Sequence, residues 1–106
     1  MNKSESRIQS EILLALSQRG HRLFRTNAGK VKTEQGMWIK LMPKGFPDTC
    51  GWHGESGQFI AIEVKNATGR LSDDQIRFRD FAATQPIIYG VATSAEEAIQ
   101  IVEGES

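Results

Sequence analysis

The stretch Gln58-Phe59-Ile60-Ala61-Ile62-Glu63-Val64-Lys65 decides the fold, together with the segments 72–84 and 87–92 that follow it. Side chains alternate between the faces of a strand. Ile60, Ile62 and Val64 therefore share one face, and Phe59, Ala61, Glu63 and Lys65 share the other. A loop over 66–71 leads to a helix that starts at Ser72, runs to about 84 and is ended by Pro86. Residues 87–92 read as a strand. A strand, a crossover helix and a second strand form a unit in which the two strands run parallel.

Working outward, residues 4–19 read as a helix. Ile8, Ile12, Ala15 and Leu16 recur at helical spacing, and Gly20 follows as a stop. Residues 21–26 read as a short strand, 27–36 as a polar loop and 37–42 as another strand. A turn over 43–47 contains Gly45. Residues 49–53 read as a strand joined to 58–65 by a hairpin turn over 54–57. A last helix begins at Ser94, where Ser94 and Glu97 fit a capping box. The expected order is α-β-β-β-β-α-β-α, which is an α/β fold with a mixed sheet.

The 106 residues suit one domain, read as 1–106. Composition is that of an ordinary soluble protein, 39% hydrophobic and 25% charged. Thirteen basic residues balance 13 acidic ones. Nucleic-acid binding then depends on where the charges sit rather than on their sum. Cys50 is the one cysteine, so an intrachain disulfide is excluded. With His21 and His53 as the only histidines, a zinc site of the usual Cys/His kind is disfavoured. The polar N-terminus does not read as a signal peptide, and no apolar run approaches a membrane span. The expected setting is cytoplasmic, with no membrane association.

An acid and an amine, Glu63 and Lys65, stand side by side at the end of an apolar strand. A surface ion pair would explain them. Asp48 suggests more. It leaves the tight turn Gly45-Phe46-Pro47-Asp48 just before a strand that pairs with 58–65, and hairpin geometry can set it opposite Glu63. Two carboxylates held close repel unless a cation lies between them. Oxygen ligands without Cys or His favour a hard ion, Mg²⁺ or Mn²⁺. Such an ion polarises a phosphoryl oxygen and acidifies a bound water. Lys65 beside it can stabilise developing negative charge or orient that water.

Pro47-Asp48 followed by Glu63-Val64-Lys65 resembles the PD-(D/E)xK nuclease signature. Its surroundings narrow the resemblance. Gly45-Phe46-Pro47-Asp48, Ile62-Glu63-Val64-Lys65, Thr68-Gly69-Arg70-Leu71-Ser72 and Gln75 are similar to the VRR-NUC branch. So are Glu5-Ser6-Arg7-Ile8-Gln9 and Arg25-x-Asn27-x-Gly29. The resemblance runs from about residue 5 to about residue 102.

It implies a restriction-endonuclease-like domain with a mixed central sheet flanked by helices. It also implies a Mg²⁺- or Mn²⁺-dependent DNA endonuclease of the free-standing phage or bacterial type, homodimeric and acting on branched DNA such as Holliday junctions. Asp48 and Glu63 would hold the metal, with the Val64 carbonyl as a further ligand. Lys65 would be catalytic and Gln75 a supporting polar residue. Glu5 would be the contribution of the first helix to the catalytic site and a further metal ligand, with Glu11 as a competing acid pointing partly inward. A nicking or flap endonuclease, a non-catalytic DNA-binding module and a purely structural α/β protein are the rival readings.

Other candidates carry simpler explanations beside functional ones. Ser72 and Gln75 form a capping box whatever else Gln75 does, and Glu5 suits a helix N-terminus. His21 and His53 have no partner specified by sequence. Cys50 reads as a small buried residue rather than a nucleophile. Trp38 and Trp52 could stack on bases, with core packing or a subunit interface as the preferred reading. Arg25, Lys30, Lys32, Lys40 and Lys44 face the single acid Glu34 within 25–44. With Asn27, Arg70, Arg77 and Arg79 they are expected to supply a phosphate-contacting surface. Segment 30–44 has no counterpart in the resemblance.

Overall fold

Ile8, Ile12 and Leu16, one turn apart along the first helix, meet Ile60, Ile62 and Val64 of the central strand in a single buried cluster. In the computed structural model, which describes residues 3–27, 30–40 and 42–104, the chain order is α1 (Glu5–Gln18), β1 (Arg22–Arg25), β2 (Lys30–Lys32), β3 (Trp38–Lys40), β4 (Thr49–Trp52), β5 (Phe59–Val64), α2 (Asp73–Ala82), β6 (Ile88–Ala92) and α3 (Ala95–Glu103). Four strands form the central sheet in the order β1-β4-β5-β6. β4 pairs antiparallel with both β1 and β5, whereas β5 and β6 run parallel. The sheet is therefore mixed and flanked by helices, consistent with a restriction-endonuclease-like fold. No described helix is long and apolar enough to cross a membrane.

Helices α1 and α3 lie on one face of this sheet. Leu23, Ala92, Ala98 and Val102 complete the core there. Gly90 lets β6 come against α3, since a Cβ on it would sit 2.5 Å from the Ile101 side chain. Helix α2 lies on the opposite face over β6, where Phe78 packs against Tyr89 with ring centroids 5.7 Å apart. Central strand β5 is thus covered on both sides, and residues 60–64 are all buried. Both faces are buried in the usual manner of a strand with a parallel neighbour.

Helix starts follow the expected chemistry. Ser4 caps α1, accepting from the Arg7 amide at 3.1 Å. At α2 the capping box is complete. The Ser72 hydroxyl accepts from the Gln75 amide at 3.2 Å, and Gln75 Oε1 accepts from the Ser72 amide at 2.8 Å. At α3 it is shifted. Ser94 accepts from the Glu97 amide at 3.1 Å, but Glu97 Oε1 reaches one residue further back, to the Thr93 amide at 2.7 Å.

The segment 27–36 is not wholly loop. β2 pairs antiparallel with β3 as a separate two-stranded ribbon, with Lys30 opposite Lys40 and Lys32 opposite Trp38. Lys-Val-Lys is too short and polar to show alternation. Its partner is local, reached through a turn in which the Thr33 amide donates to the Met37 carbonyl at 2.7 Å. The strand expected over 37–42 shortens to Trp38–Lys40 and joins this ribbon instead of the central sheet. The order gains one strand. The ribbon connects Arg25 to Thr49, which are themselves cross-strand partners. It therefore leaves the central sheet at the end where Asp48 lies.

Ile62 is fully buried between two helices and two strands. Ile62→Ala is expected to lower the unfolding free energy by about 2–5 kcal/mol in urea titrations.

Candidate active site

The turn before β4 is held from several sides. The Phe46 amide donates to the Pro43 carbonyl at 3.0 Å. Gly45 adopts a φ of 91°, and a Cβ there would lie 2.7 Å from the Asp74 carbonyl oxygen. Glycine is needed on both counts, because the turn is left-handed and presses on the first turn of α2. Phe46 packs edge-on against Phe78 at 5.2 Å. Thr26, at the end of β1, donates its hydroxyl to the Pro47 carbonyl at 2.6 Å and its amide to the Asp48 carbonyl at 2.9 Å. The main chain on both sides of Asp48 is thereby fixed.

Thr49 pairs with Ile62 across the β4–β5 ladder. Extending that antiparallel register by one residue sets Asp48 opposite Glu63. The Val64 amide donates to Asp48 Oδ2 at 2.9 Å. Thr49 adds a buried hydroxyl bond to the Ile62 carbonyl at 2.9 Å, which fastens the same two strands.

Glu63 is only 1% exposed. Gln75 Nε2 donates to Glu63 Oε2 at 3.0 Å, and Lys65 Nζ lies 3.6 Å from the same oxygen. Gln75 thus serves two ends at once. Its carbonyl oxygen closes the capping box of α2, and its amide nitrogen orients Glu63. Burial pushes the Glu63 carboxyl up to about 8, and a hydrogen bond and charge from Asp48 add to the rise. Lys65 opposes it. Tyr89, across the β5–β6 pair, is pushed up to about 12, first by burial and then by the Glu63 charge.

The first helix brings Glu5 to the loop after β5. Its Oε2 accepts from the Asn66 amide at a long 3.5 Å. A Cβ on Gly69 would sit 2.8 Å from that oxygen and 3.2 Å from Lys65 Cδ, so the loop closes tightly over both side chains. Glu5 is therefore a neighbour of Lys65. Glu11 points elsewhere. It pairs with Lys3 at 2.9 Å and Arg7 at 3.4 Å, and these cations hold its carboxyl below the usual range. Glu11 is half-buried, as expected of a side chain pointing partly inward, but its carboxylate is taken up by these two cations.

The expected phosphate-contacting residues divide. Arg25 turns back onto α1, donating to Gln9 Oε1 at 2.5 Å and to Ser10 Oγ at 2.6 Å. It ties β1 to the helix. Asn27 takes a φ of 51° at the exit of β1, a conformation that asparagine tolerates better than most residues. Lys44 is exposed, with Nζ 3.9 Å from Asp74. Arg70 is exposed in the loop before α2. Arg77 and Arg79 are engaged with Asp74 and Asp80. Lys30 and Lys32 fall on β2, and their side chains, like residues 28 and 29, lie outside the described residues.

The histidines sit at the opposite end of the sheet. His21 Nδ1 accepts from the Gly54 amide at 3.0 Å, and its Nε2 meets Glu103 Oε2 at 3.0 Å. Cys50 is partly buried, and burial raises its thiol.

Among the described residues, no group of three His, Cys, Asp or Glu side chains is placed to hold a metal ion. Asp48 and Glu63 offer two carboxylates set opposite each other across the β4–β5 pair, one of them buried. An all-oxygen pair of this kind suits a hard divalent cation, to which a main-chain carbonyl could add. Thr26, Thr49 and Tyr89 were not singled out by the sequence reading. Thr26 and Thr49 act through hydroxyl bonds across strands, for which sequence spacing carries no signal. Tyr89 was legible in principle, since alternation in 87–92 puts it opposite Ala61 on the Glu63 face.

Without a cation, the raised Glu63 carboxyl makes stability pH-dependent. The folded chain keeps this proton up to about pH 8, whereas the unfolded carboxyl loses it near 4.5. Between those values the folded state binds more protons, so stability falls as pH rises. In chelator, urea midpoints are expected to fall from pH 5 to pH 8, and the Glu63→Gln protein to lose less over this range. Equal slopes would show that Glu63 does not carry the effect.

No curated protein and no solved structure gives a significant match to this sequence. The family model for the VRR-NUC domain matches residues 4–96. That span takes in α1, the 43–48 turn, β5, Lys65 and α2. A nuclease-type, hydrolytic function is supported by the match, and the chain belongs to the VRR-NUC family.

Proposed function

We propose that this chain is a Mg²⁺- or Mn²⁺-dependent DNA endonuclease that cuts branched DNA such as Holliday junctions as a homodimer. The observation that carries the reading is the β4–β5 register that sets Asp48 opposite the buried Glu63, with Lys65 Nζ 3.6 Å from Glu63. A divalent cation bound there would polarise the scissile phosphate and acidify a water.

The protein's own residues do the rest. Asp48, oriented by the Val64 amide, and Glu63, oriented by Gln75, would hold the cation. The Val64 carbonyl is the proposed main-chain ligand. Lys65 would stabilise negative charge on the phosphate or orient the attacking water. Glu5 borders Lys65 and would act through it.

Lys44 and Arg70 lie exposed on the two loops beside the site, and β2 brings Lys30 and Lys32 into the segment that leaves the sheet near Asp48. A chain without net charge can then offer cations to phosphates locally. A domain this small covers little DNA alone. A two-fold dimer would present two sites to opposite strands of a junction, and this part of the reading rests on the family resemblance.

Mn²⁺-dependent cleavage of a four-way junction, a flap and a linear duplex tests the proposal. The wild type is expected to cut the junction fastest, with Asp48→Asn inactive. Lys65→Ala is expected to be slower by roughly 100- to 1,000-fold, and Gln75→Ala by roughly 10- to 100-fold through misorientation of Glu63. Preferred cutting of the flap would replace the substrate. No cutting by the wild type, or equal cutting by Asp48→Asn, would overturn the catalytic reading.

A further inference from the structure

The sheet face that carries Glu63 is only half covered. Helix α2 packs over β6, with Phe78 on Tyr89 and Gln75 on Glu63. Over β1 and β4 no helix among the described residues covers the same face, and its large side chains stay about half exposed. Trp52 is opposite Phe59, Arg22 is opposite Trp52, and Phe24 is opposite Cys50, so the ladder places all five residues on this face. Phe24, Trp52 and Phe59 are 54%, 49% and 39% exposed. Phe24 and Trp52 are in ring contact, with centroids 6.0 Å apart. Trp52 therefore does not pack in the core.

We propose that Phe24, Trp52 and Phe59 form a stacking platform for unpaired bases of the DNA strand entering the Asp48–Glu63 site. The proposal rests on the nuclease reading and specifies its substrate: DNA with a single-stranded segment beside the cut. Phe59 and Glu63 are on one face of one strand, four residues or about 13 Å apart. Glu63 and the intervening Ala61 are buried, so a DNA strand passing over the rings would reach the site along β4 instead, across the partly buried Cys50 to Asp48, which faces Glu63. A base can stack on these rings only when it has left its own stack. The five residues on that half include one cation, Arg22, and no carboxylate, which suits a phosphate chain.

A second copy of the chain fits this face less well. Three half-exposed aromatic side chains offer roughly 300 Å². A stable dimer usually buries about 800 Å² per partner.

Trp38→Phe leaves Trp52 as the only tryptophan. In chelator, where no cleavage occurs, adding a short oligothymidylate to this protein is expected to quench Trp52 fluorescence. Blunt duplex of the same length is expected to leave it unchanged. Trp52→Ala and Phe59→Ala are each expected to weaken oligothymidylate binding about tenfold, and Trp52→Phe to restore most of the loss. Circular dichroism and thermal melting check that the alanine variants fold. Should one not fold, the quenching experiment and Trp52→Phe decide alone.

Absence of quenching, or unchanged affinity in folded alanine variants, overturns the platform. So does sedimentation showing that these variants turn a dimer into a monomer at unaltered DNA affinity, which would make the face a subunit interface. Cleavage with Mn²⁺ separates the two readings. Wild-type protein that quenches but does not cut keeps the platform and loses the nuclease. Cutting without quenching does the reverse.

Discussion

The Val64 amide donates to Asp48 Oδ2 at 2.9 Å, and this one bond joins the turn before β4 to the end of β5. It forms only in the register that pairs Thr49 with Ile62. A slip of one residue would turn Ile60, Ile62 and Val64 away from α1 and α3 and bring Glu63 into the core. The register is therefore enforced by core burial on one face, and the carboxylate pair on the other face is its consequence. Thr26, Thr49 and the glycine turn at 45 hold the same arrangement from the sides.

That arrangement sets an unfavourable contact inside a stable scaffold. Glu63 is almost fully buried beside another carboxylate, and burial with Asp48 lifts it to about 8. Lys65 and Gln75 compensate only in part. Functional sites commonly carry charges arranged at a cost to stability, and the cost is a pointer to a ligand that relieves it. Helix α2 is what makes the arrangement rigid. Its capping residue Gln75 is also the partner of Glu63, so helix start and site geometry are one structure.

Much of this was legible in the sequence. Alternation along 58–65 separated the core face from the Glu63 face, and the strand–helix–strand unit implied the parallel β5–β6 pair. Ser72 and Gln75 announced the capping box. The ribbon was not legible, because Lys30-Val31-Lys32 is short and polar and pairs with a neighbour rather than with the core. Arg25 read as a phosphate ligand, and its bonds to Gln9 and Ser10 depend on how β1 crosses α1, which spacing does not reveal. Trp52 read as core or interface because nothing in its neighbourhood shows that α2 stops short of β4. Glu5 and Glu11 both looked possible on a helical wheel. In the structure the loop at Asn66–Gly69 closes onto Glu5, whereas Glu11 pairs with Lys3 and Arg7.

Calorimetric titration of the metal-free protein with Mn²⁺, run in parallel on wild type, Asp48→Asn and Glu63→Gln, tests the cation site directly. If the carboxylate pair holds the ion, the wild type binds it, and each variant, folded by circular dichroism, binds far more weakly or not at all. Equal binding by all three, or none by the wild type, would contradict a cation site at Asp48 and Glu63.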